Sequence, residues 1–241
     1  MRRALVTGGG SPIGAAIARA LAADGAHVLV HGHANPARAE AVAAEIRAGG
    51  HGSAEAVTFD LTDAAATAAA VERLLEDGPI QILVHNAGTH DDAPMAGMSQ
   101  AQWHGVIGVS LDGFFHVARP LLLPMIGTRW GRIVAMSSLS AIMGNRGQVN
   151  YAAAKAGLIG AVRALSLECA PRGVTVNAVA PGIIESPAVE AAGLTRERIA
   201  KMVPARRAGR PEEVADLVAF LCSDRAGYIT GQCISINGGL A

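Results

Sequence analysis

Aromatic residues are scarce in this chain: they make up 3% of its 241 residues, although 51% are hydrophobic. The predicted core is therefore aliphatic and built from Ala, Val, Leu and Ile. The chain also has no excess of one charge, with 20 Lys and Arg against 20 Asp and Glu. Because no overall field attracts polyanions, we expect no nucleic acid or anionic membrane as a partner, and an acidic partner would need a local patch.

Cysteine is rare as well, and Cys169, Cys222 and Cys233 are odd in number and scattered. Their spacing fits neither a disulfide framework nor a metal site, so we expect reduced core thiols in a cytoplasmic protein and no metal. Arg2 and Arg3 follow Met1, but the apolar run after them is too short for a signal peptide. No apolar run is long enough to span a bilayer, so no membrane segment is expected.

Short apolar segments alternate with helical segments from one end of the chain to the other. The predicted strands are Ala4–Thr7, His27–His31, Ala54–Phe59, Pro79–His85, Gly131–Met136, Val174–Val179 and Cys233–Ile236. Several are apolar throughout, as expected when helices cover both faces of a sheet. The pattern predicts a single α/β domain over residues 1–241, with a doubly wound parallel sheet of about seven strands flanked by helices.

Two longer segments are predicted in more detail. Residues 100–126 have the pattern of a long helix, and Pro120 is where we expect any interruption. Residues 183–210 have no clear periodicity and are rich in Pro, Glu and Arg, so we predict a mobile flap that sets substrate choice.

Ser138, Tyr151 and Lys155 form the candidate catalytic set. Ser138 follows a buried strand, and Tyr151 and Lys155 are four residues apart on one helix face. A nearby cation favours the phenolate, so we expect Lys155 to lower the pKa of Tyr151. Tyr151 could then exchange a proton with a carbonyl or alcohol oxygen, while Ser138 donates a hydrogen bond to it. A lone Tyr-x-x-x-Lys pair is weak evidence, since an ordinary amphipathic helix carries the same pair.

A glycine-rich turn between the first strand and the first helix predicts a dinucleotide site. A helix N-terminus at such a turn binds a pyrophosphate, and the alternative is a plain strand–helix turn. The second strand is followed by His33 and Arg38 instead of the acid that holds a ribose 2′-hydroxyl. This favours NADP(H), although both side chains could equally be solvated surface. The candidate residues in the turn are Gly8, Ser11, Pro12, Ile13 and Gly14.

Further cofactor contacts are predicted where the third and fourth strands end. Asp60, followed by Leu61, could accept a hydrogen bond from an adenine amino group, or could simply cap a turn. Asn86, Ala87 and Gly88 allow close backbone approach to a cofactor, which a turn alone would also explain. His85, His90, His104 and His116 share no spacing, so we interpret them as core or surface residues, and Asp91 and Asp92 as a solvated loop.

These motifs together resemble the short-chain dehydrogenase/reductase family over essentially the whole chain. The matching residues are Thr7-Gly8, Asn86-Ala87-Gly88, Ser138, Tyr151-x-x-x-Lys155, Asn177 and Pro181-Gly182. Gly144–Tyr151 and Ser235–Gly239 are similar to β-ketoacyl-acyl-carrier-protein reductases, including ketoreductases of fatty-acid-like or polyene polyketide pathways. The resemblance implies a Rossmann-type fold and an NADP-dependent oxidoreductase acting on CH–OH groups.

The resemblance also implies residue roles. Tyr151 is the catalytic acid, Lys155 lowers its pKa and holds the nicotinamide ribose, and Ser138 orients the carbonyl. Ile184 and Ser186, after Pro181 and Gly182, face the nicotinamide carboxamide, and Arg129 and Arg172 contact the acidic carrier protein or are surface charge. Two positions depart from the family: Pro12 replaces a glycine and cannot donate an N–H to phosphate, and Ser110 replaces the Asn of the proton relay.

Three functions follow as hypotheses. The first is NADPH-dependent reduction of a 3-oxoacyl thioester on an acyl carrier protein, in fatty-acid or polyketide biosynthesis. The second keeps the chemistry but uses a free ketone or alcohol. The third, suggested by Pro12 and Ser110, is a silent partner subunit of a hetero-oligomeric reductase. The Tyr151 helix is apolar on all sides, so we also expect a homo-oligomer, a tetramer or dimer, with a hetero-oligomer as the alternative.

Overall fold

The computed structural model describes residues 1–50 and 52–241, which contain one seven-stranded sheet in the order β3-β2-β1-β4-β5-β6-β7. All six strand pairs are parallel. The strands are β1 Arg3–Thr7, β2 His27–His31, β3 Ser53–Val57, β4 Ile82–His85, β5 Gly131–Met136, β6 Val174–Pro181 and β7 Cys233–Ile236. The predicted doubly wound α/β sheet is confirmed.

Helices cover both faces of the sheet. They are α1 Pro12–Ala23, α2 Pro36–Ala48, α3 Ala64–Glu76, α4 Gln100–Ile107, α5 Gly113–Gly127, α6 Ser140–Met143, α7 Val149–Cys169, α8 Pro187–Ala191, α9 Arg196–Met202 and α10 Pro211–Cys222. Successive residues of a strand point to opposite faces, so Val6 packs with α1, α2 and α10, while Leu5 packs with α3, α5 and α7. Every strand carboxyl end meets the same edge of the sheet, which we call the carboxyl edge.

The interruption in the long helix lies at a π-helical turn over Gly108–Asp112, not at Pro120. The amide of Gly113 donates to the carbonyl oxygen of Gly108, five residues back. Pro120 and Pro124 both lie inside α5 without ending it. The fully buried Val117, Leu121 and Met125 hold α5 on the sheet, and this packing offsets the loss of two helical donors.

The run Gln100–Gly127 is long and apolar enough to cross a membrane, with a mean hydropathy of 1.4 in its most apolar window. The expectation that no segment reaches this threshold is therefore wrong on length and composition alone. This run includes α4, the π turn and α5, and α5 packs on the sheet within the apolar core. A long core helix passes the same test, so the run is weak evidence for a membrane segment.

Residues 183–210 contain two short helices, α8 and α9, that the sequence did not indicate. Ile199, Val203 and Ala208 form a small buried cluster of their own within this segment. An isolated bridge pairs Ile184 with Gly209 where the segment leaves and rejoins the domain. We call residues 183–210 the flap, and its mobility stays a prediction.

Candidate active site

Ser138 lies two residues beyond β5 at the carboxyl edge. The amide of Leu139 donates to the carbonyl oxygen of Pro181 over 2.9 Å, which fixes this turn to the end of β6. The Ser138 hydroxyl accepts a hydrogen bond of 3.1 Å from the amide of Ser140. Since that bond occupies only a lone pair, the hydroxyl keeps its proton for the Tyr151 phenol oxygen or for a substrate oxygen in its place.

Tyr151 and Lys155 extend from α7 toward Ser138. The Lys155 ammonium lies 5.7 Å from the centre of the Tyr151 ring and donates 2.9 Å to the carbonyl oxygen of Met136. The Ser137 hydroxyl donates 2.9 Å to the carbonyl oxygen of Lys155, which fastens α7 to the end of β5. These contacts bring the predicted phenol, ammonium and hydroxyl together at one point.

The pKa of Tyr151 shifts in the direction opposite to the one expected from the sequence. Burial raises the pKa of the Tyr151 phenol, and the Ser138 hydroxyl opposes that rise only in part. Burial also lowers the pKa of the Lys155 ammonium to about 8. The expected depression of the Tyr151 pKa by Lys155 is therefore wrong for the protein by itself, because the desolvation of both groups disfavours their charged forms. A protonated phenol suits a proton donor.

A cavity of about 410 Å³ opens above these residues. Ser138, Tyr151 and Lys155 line it together with seven of the predicted cofactor-binding residues: Ile13, Asn86, Gly88, Pro181, Gly182, Ile184 and Ser186. Flap residues Val189 and Leu194 close one side. A ketone that enters this cavity can therefore meet a proton donor and a hydroxyl together, which is the arrangement that carbonyl reduction needs.

The glycine-rich turn fits a dinucleotide, although Pro12 leaves one fewer backbone amide to bind its phosphates. Gly8 has a φ of 63°, and a side chain there would press against Asn86 and Ala87. A side chain at Gly14 would collide with the carbonyl oxygen of Gly8. The Ser11 hydroxyl accepts from the amide of Gly14 over 3.1 Å, and Pro12 has no amide. The first-turn amide at Ile13 has no acceptor among the described residues, so it is available to a phosphate.

Asn86 holds this turn in place. Its side-chain amide donates to the carbonyl oxygen of Gly8 over 2.9 Å and to the Ser11 hydroxyl over 3.1 Å. The Thr7 hydroxyl accepts from the amides of Asn86 and Ala87 at 3.1 and 3.0 Å. Asn86 and Ala87 therefore join β1 to β4, a positioning role that the sequence did not separate from cofactor contact.

The predicted adenosine residues lie farther along the carboxyl edge. Arg38 is exposed on the first turn of α2, and its Cβ atom lies 2.8 Å from where a side chain on Gly10 would begin. His33 Nε2 lies 3.6 Å from a carboxylate oxygen of Asp60. The other oxygen of Asp60 accepts from Thr62, which lowers the pKa of this carboxyl group. Asp60 thus forms a turn, as the alternative predicted, and Leu61 beside it is buried.

Ser110 lies beneath the cavity in the π turn. Its hydroxyl is buried and, among the described residues, has no hydrogen-bond partner. A side chain at Gly88 would begin 3.3 Å from this hydroxyl and 2.9 Å from Lys155 Nζ. The absence of a side chain at Gly88 therefore leaves polar room between Ser110 and Lys155, and a buried polar atom without a partner marks a place for water or a ligand.

Sequence reasoning missed the role of His85, which is buried at the end of β4. Its Nε2 lies 2.9 Å from the carbonyl oxygen of Ser110, and its Nδ1 lies 3.2 Å from the Thr7 hydroxyl. Since the carbonyl can only accept, Nε2 carries the proton and Nδ1 accepts from Thr7. Burial, with a smaller effect from Lys155, lowers the pKa of His85 to about 3. The sequence did contain a signal for this role, namely a histidine in a buried strand directly before Asn86-Ala87-Gly88.

Arg129 and Arg172 are exposed at the opposite edge of the sheet. Arg129 precedes β5 and Arg172 precedes β6, and the two loops meet where the amide of Gly131 donates to the carbonyl oxygen of Gly173. The structure brings these two arginines close to each other but away from Ser138 and Tyr151. Contact with a carrier protein stays a prediction for them, and it would have to serve the site of another subunit.

No metal site is evident within residues 1–50 and 52–241, where no three His, Cys, Asp or Glu side chains cluster in a way that could hold an ion. All three cysteines are free. Cys169 and Cys222 are buried, and Cys233 is partly buried. Burial raises the pKa of each thiol, which keeps the thiols protonated and unreactive.

Comparisons with known proteins agree with this geometry. The chain is 42% identical over 241 residues to a 3-oxoacyl-acyl-carrier-protein reductase from Aggregatibacter actinomycetemcomitans, with 98% of each chain covered. It is 44% identical to an acetoacetyl-CoA reductase from Rhizobium meliloti, covering 99% of this chain and 98% of that one. A counterpart of the first enzyme from Aquifex aeolicus is 45% identical, covering 98% and 96%.

A solved structure shares the whole fold. This protein, described as a gluconate dehydrogenase from Agrobacterium tumefaciens, superposes with a TM-score of 0.94 at 34% identity, covering 99% of this chain and 95% of the other. A family model described as enoyl-(acyl carrier protein) reductase matches residues 8–241. The chain belongs to the short-chain dehydrogenase/reductase family, and it is an oxidoreductase acting on CH–OH groups.

Proposed function

We propose that this protein reduces a 3-oxoacyl thioester carried by an acyl carrier protein to the 3-hydroxyacyl form, using NADPH, in fatty-acid or polyketide biosynthesis. The observation that carries the proposal is the convergence of Ser138, Tyr151 and Lys155 on one cavity. Support for the substrate comes from relatives at 42–45% identity named for this reaction.

The chain's own residues account for the acid–base part of the reaction. Bound NADPH supplies a hydride to the ketone carbon. Tyr151 donates its proton to the ketone oxygen, since burial keeps the phenol protonated until that oxygen becomes basic. Ser138 donates a hydrogen bond to the same oxygen as charge builds on it. Lys155, whose ammonium lies 5.7 Å from the centre of the Tyr151 ring, would hold the nicotinamide ribose.

NADPH is proposed over NADH because of the residues after β2. Arg38 stands beside the glycine-rich turn, and no carboxylate follows β2 directly. A 2′-phosphate would therefore meet a cation, whereas NADH would gain no hydrogen bond from an acid at that position. Asp60 lies nearby, but one of its carboxylate oxygens accepts a hydrogen bond from the amide of Thr62 and the other lies beside His33.

An oligomer is proposed from the outer face of α5 and α7. Phe115 is 59% exposed and Leu167 is 80% exposed on these helices. A cavity of about 450 Å³ between the two helices has a mostly apolar lining. Apolar surface of this kind marks an interface, so we propose a homo-oligomer, a dimer or tetramer, acting in the cytoplasm.

A free ketone or alcohol is the second candidate substrate, because the similar solved structure is described as a gluconate dehydrogenase. The decisive experiment follows NADPH fluorescence with an acetoacetyl thioester, attached to a carrier protein or to coenzyme A, and with a free ketone. Faster turnover of the thioester supports the proposal, and exclusive use of the free ketone contradicts it. A 2-enoyl thioester is the matched control, since the family model is described by that reaction.

The same experiment tests the silent-subunit alternative. Pro12 removes one donor from the phosphate site, and Ser110 changes the relay position. NADPH binding by the purified chain, followed by turnover, excludes a silent subunit. Absence of binding to either NADPH or NADH, together with stable co-purification of a second reductase, would favour it.

A further inference from the structure

A second cavity adjoins the catalytic one beneath the flap. Its volume is about 320 Å³. Ser186, Val189 and Leu194 line both cavities and so form a shared wall. The two cavities are therefore neighbours, and a chain attached to a ketone in the catalytic cavity has only these three residues to pass before it reaches the second cavity.

The second cavity has an apolar floor and a charged rim. Val189, Leu194 and Ile199 supply apolar surface, and Ile199 belongs to the buried cluster of the flap. Arg196 and Arg206 are exposed at the rim. Such a lining suits an extended ligand that is largely uncharged but carries a localised negative group.

A third arginine of the rim, Arg207, is already paired. Its guanidinium donates to both carboxylate oxygens of Glu213 at 2.6 and 2.7 Å. Neither Arg196 nor Arg206 has a carboxylate within ion-pair distance among residues 1–50 and 52–241. These two guanidinium groups are therefore available to an anion from outside the chain.

Two carboxylates, Glu185 and Glu190, also line this cavity. They repel a uniformly acidic surface but tolerate a single anionic group placed at the arginines. This mixture of charges favours one localised negative group over an extended acidic surface.

The backbone at Arg206 adds a second reason to single it out. Its φ is 60°, in the left-handed region that disfavours any residue with a side chain. The amide of Arg206 donates 2.8 Å to the carbonyl oxygen of Val203, so the tight turn fixes this conformation. Glycine would adopt this backbone conformation without strain, yet the chain has a long cationic side chain here. The strain is therefore a reason to expect that the Arg206 side chain has a function.

We propose that the second cavity binds the pantetheine arm of the thioester substrate, with Arg196 and Arg206 binding its phosphate. The arm is joined directly to the thioester sulfur, so it must leave the catalytic cavity as soon as the ketone is seated. It consists of amides and aliphatic carbons and carries a phosphate at its far end, as the cavity lining requires. Coenzyme A and carrier proteins share this arm, and the inference rests on the proposed thioester function.

Arg196 and Arg206 also lie on the side of the molecule that the arm must use. The flap follows β6 at the carboxyl edge, beside Ser138 and Tyr151. Arg129 and Arg172 stand at the opposite edge and cannot reach the arm of a substrate bound in their own subunit. They remain available to the carrier protein bound at another subunit, which is a separate contact.

The test compares acetoacetyl thioesters of pantetheine and of 4′-phosphopantetheine, which differ only in the phosphate. For the natural chain we expect kcat/KM to be about tenfold higher with the phosphate, as for a charge-assisted hydrogen-bonded pair. In the double variant Arg196→Ala, Arg206→Gly this ratio should fall to about one. The glycine suits the φ of residue 206, and Arg196→Lys with Arg206→Lys should restore part of the ratio through charge alone.

Arg198→Ala is the matched control, because Arg198 is exposed on the same helix but does not line the cavity. It should leave the ratio unchanged. A ratio of one in the natural chain, or the same ratio in the double variant, would overturn the phosphate site. If neither thioester is reduced at all, the proposed function fails and not merely this inference.

Two further substrates test whether the arginines bind the phosphate of the arm or the surface of the carrier protein. The double variant should lose activity with both acetoacetyl-coenzyme A and the acetoacetyl carrier protein, since both carry a phosphate at the 4′ end of the arm. A loss confined to the carrier protein would place the arginines against the protein surface and overturn the proposed phosphate site.

Discussion

The Lys155 ammonium donates a hydrogen bond of 2.9 Å to the carbonyl oxygen of Met136, the last residue of β5. This contact joins α7 to the strand that carries Ser138 two residues later. It also holds a buried charge close to Tyr151 without an ion-pair partner among the described residues. The cost of burying this charge should be visible in the stability of the protein.

We predict that the free energy of unfolding rises with pH between about 8 and 10.5. The folded pKa of Lys155 is about 8, below its ordinary value of 10.5, so the unfolded chain binds the proton more tightly. Stability is therefore reduced while Lys155 is protonated, and it is regained as pH rises through this window, by about 3 kcal/mol at most. Chemical denaturation of the natural chain and of Lys155→Met measures the difference.

Lys201→Met serves as the control, because Lys201 is exposed on α9. It should follow the natural chain across the whole pH range. A Lys155→Met variant whose stability changes with pH in parallel with the natural chain would show that Lys155 titrates normally.

Ser110→Ala should slow turnover about tenfold while changing the free energy of unfolding by less than about 0.5 kcal/mol. The reason is that the Ser110 hydroxyl faces Lys155 across Gly88 but has no partner to lose within the described protein. Steady-state kinetics and denaturation measure the two effects separately.

Ser166→Ala is the matched buried serine, since its hydroxyl donates to the carbonyl oxygen of Arg163 over 2.7 Å. It should lose about 1 kcal/mol of stability and keep the natural rate. If Ser110→Ala behaves in the same way as Ser166→Ala, then Ser110 has a structural role and takes no part in proton transfer.

Arg38→Ala should raise the KM for NADPH about tenfold and leave the KM for NADH nearly unchanged, because only NADPH carries the 2′-phosphate. Arg47→Ala on the same helix is the control, since Arg47 binds Glu40 and the carbonyl oxygen of Ala54. An equal rise in the KM for both cofactors in Arg38→Ala would mean that Arg38 supports the turn and does not bind the 2′-phosphate.

His85 should make the protein sensitive to acid. Its folded pKa is about 3 and its ordinary value is 6.5, so its contribution is fully present above pH 6.5 and is lost as pH falls toward 3. The slope attributable to His85 approaches about 1.4 kcal/mol per pH unit. Acid titration of His85→Asn against the exposed-site control His104→Asn isolates this slope, and identical acid profiles for the two variants would contradict the lowered pKa of His85.

The sheet could be predicted from sequence because its signals are local. Apolar runs such as Gly131–Met136 and Val174–Val179 read as buried strands on their own, and β2, β5 and β7 have the predicted bounds. Ser138, Tyr151 and Lys155 were predicted together because a strand end and a helical spacing specify where they meet. Their joint placement in one cavity agrees with that prediction.

Features that depend on packing could not be predicted. Pro120 suggested a break in the helix. Only tertiary contacts could show that α5 tolerates this proline and that the interruption is a π-helical turn at Gly108–Asp112. The pKa direction of Tyr151 depends on burial, which a Tyr-x-x-x-Lys spacing does not report. The role of His85 depends on partners at Thr7 and Ser110, both distant in the sequence.

The most direct test of the account measures NADPH oxidation with an acetoacetyl thioester by the natural chain and by Tyr151→Phe. Phenylalanine keeps the ring in place and removes only the proton donor, so NADPH binding should persist while turnover falls by about 10²-fold or more. That result would identify Tyr151 as the acid of a ketone reduction. Equal turnover by both proteins, or no turnover by the natural chain despite NADPH binding, would contradict it.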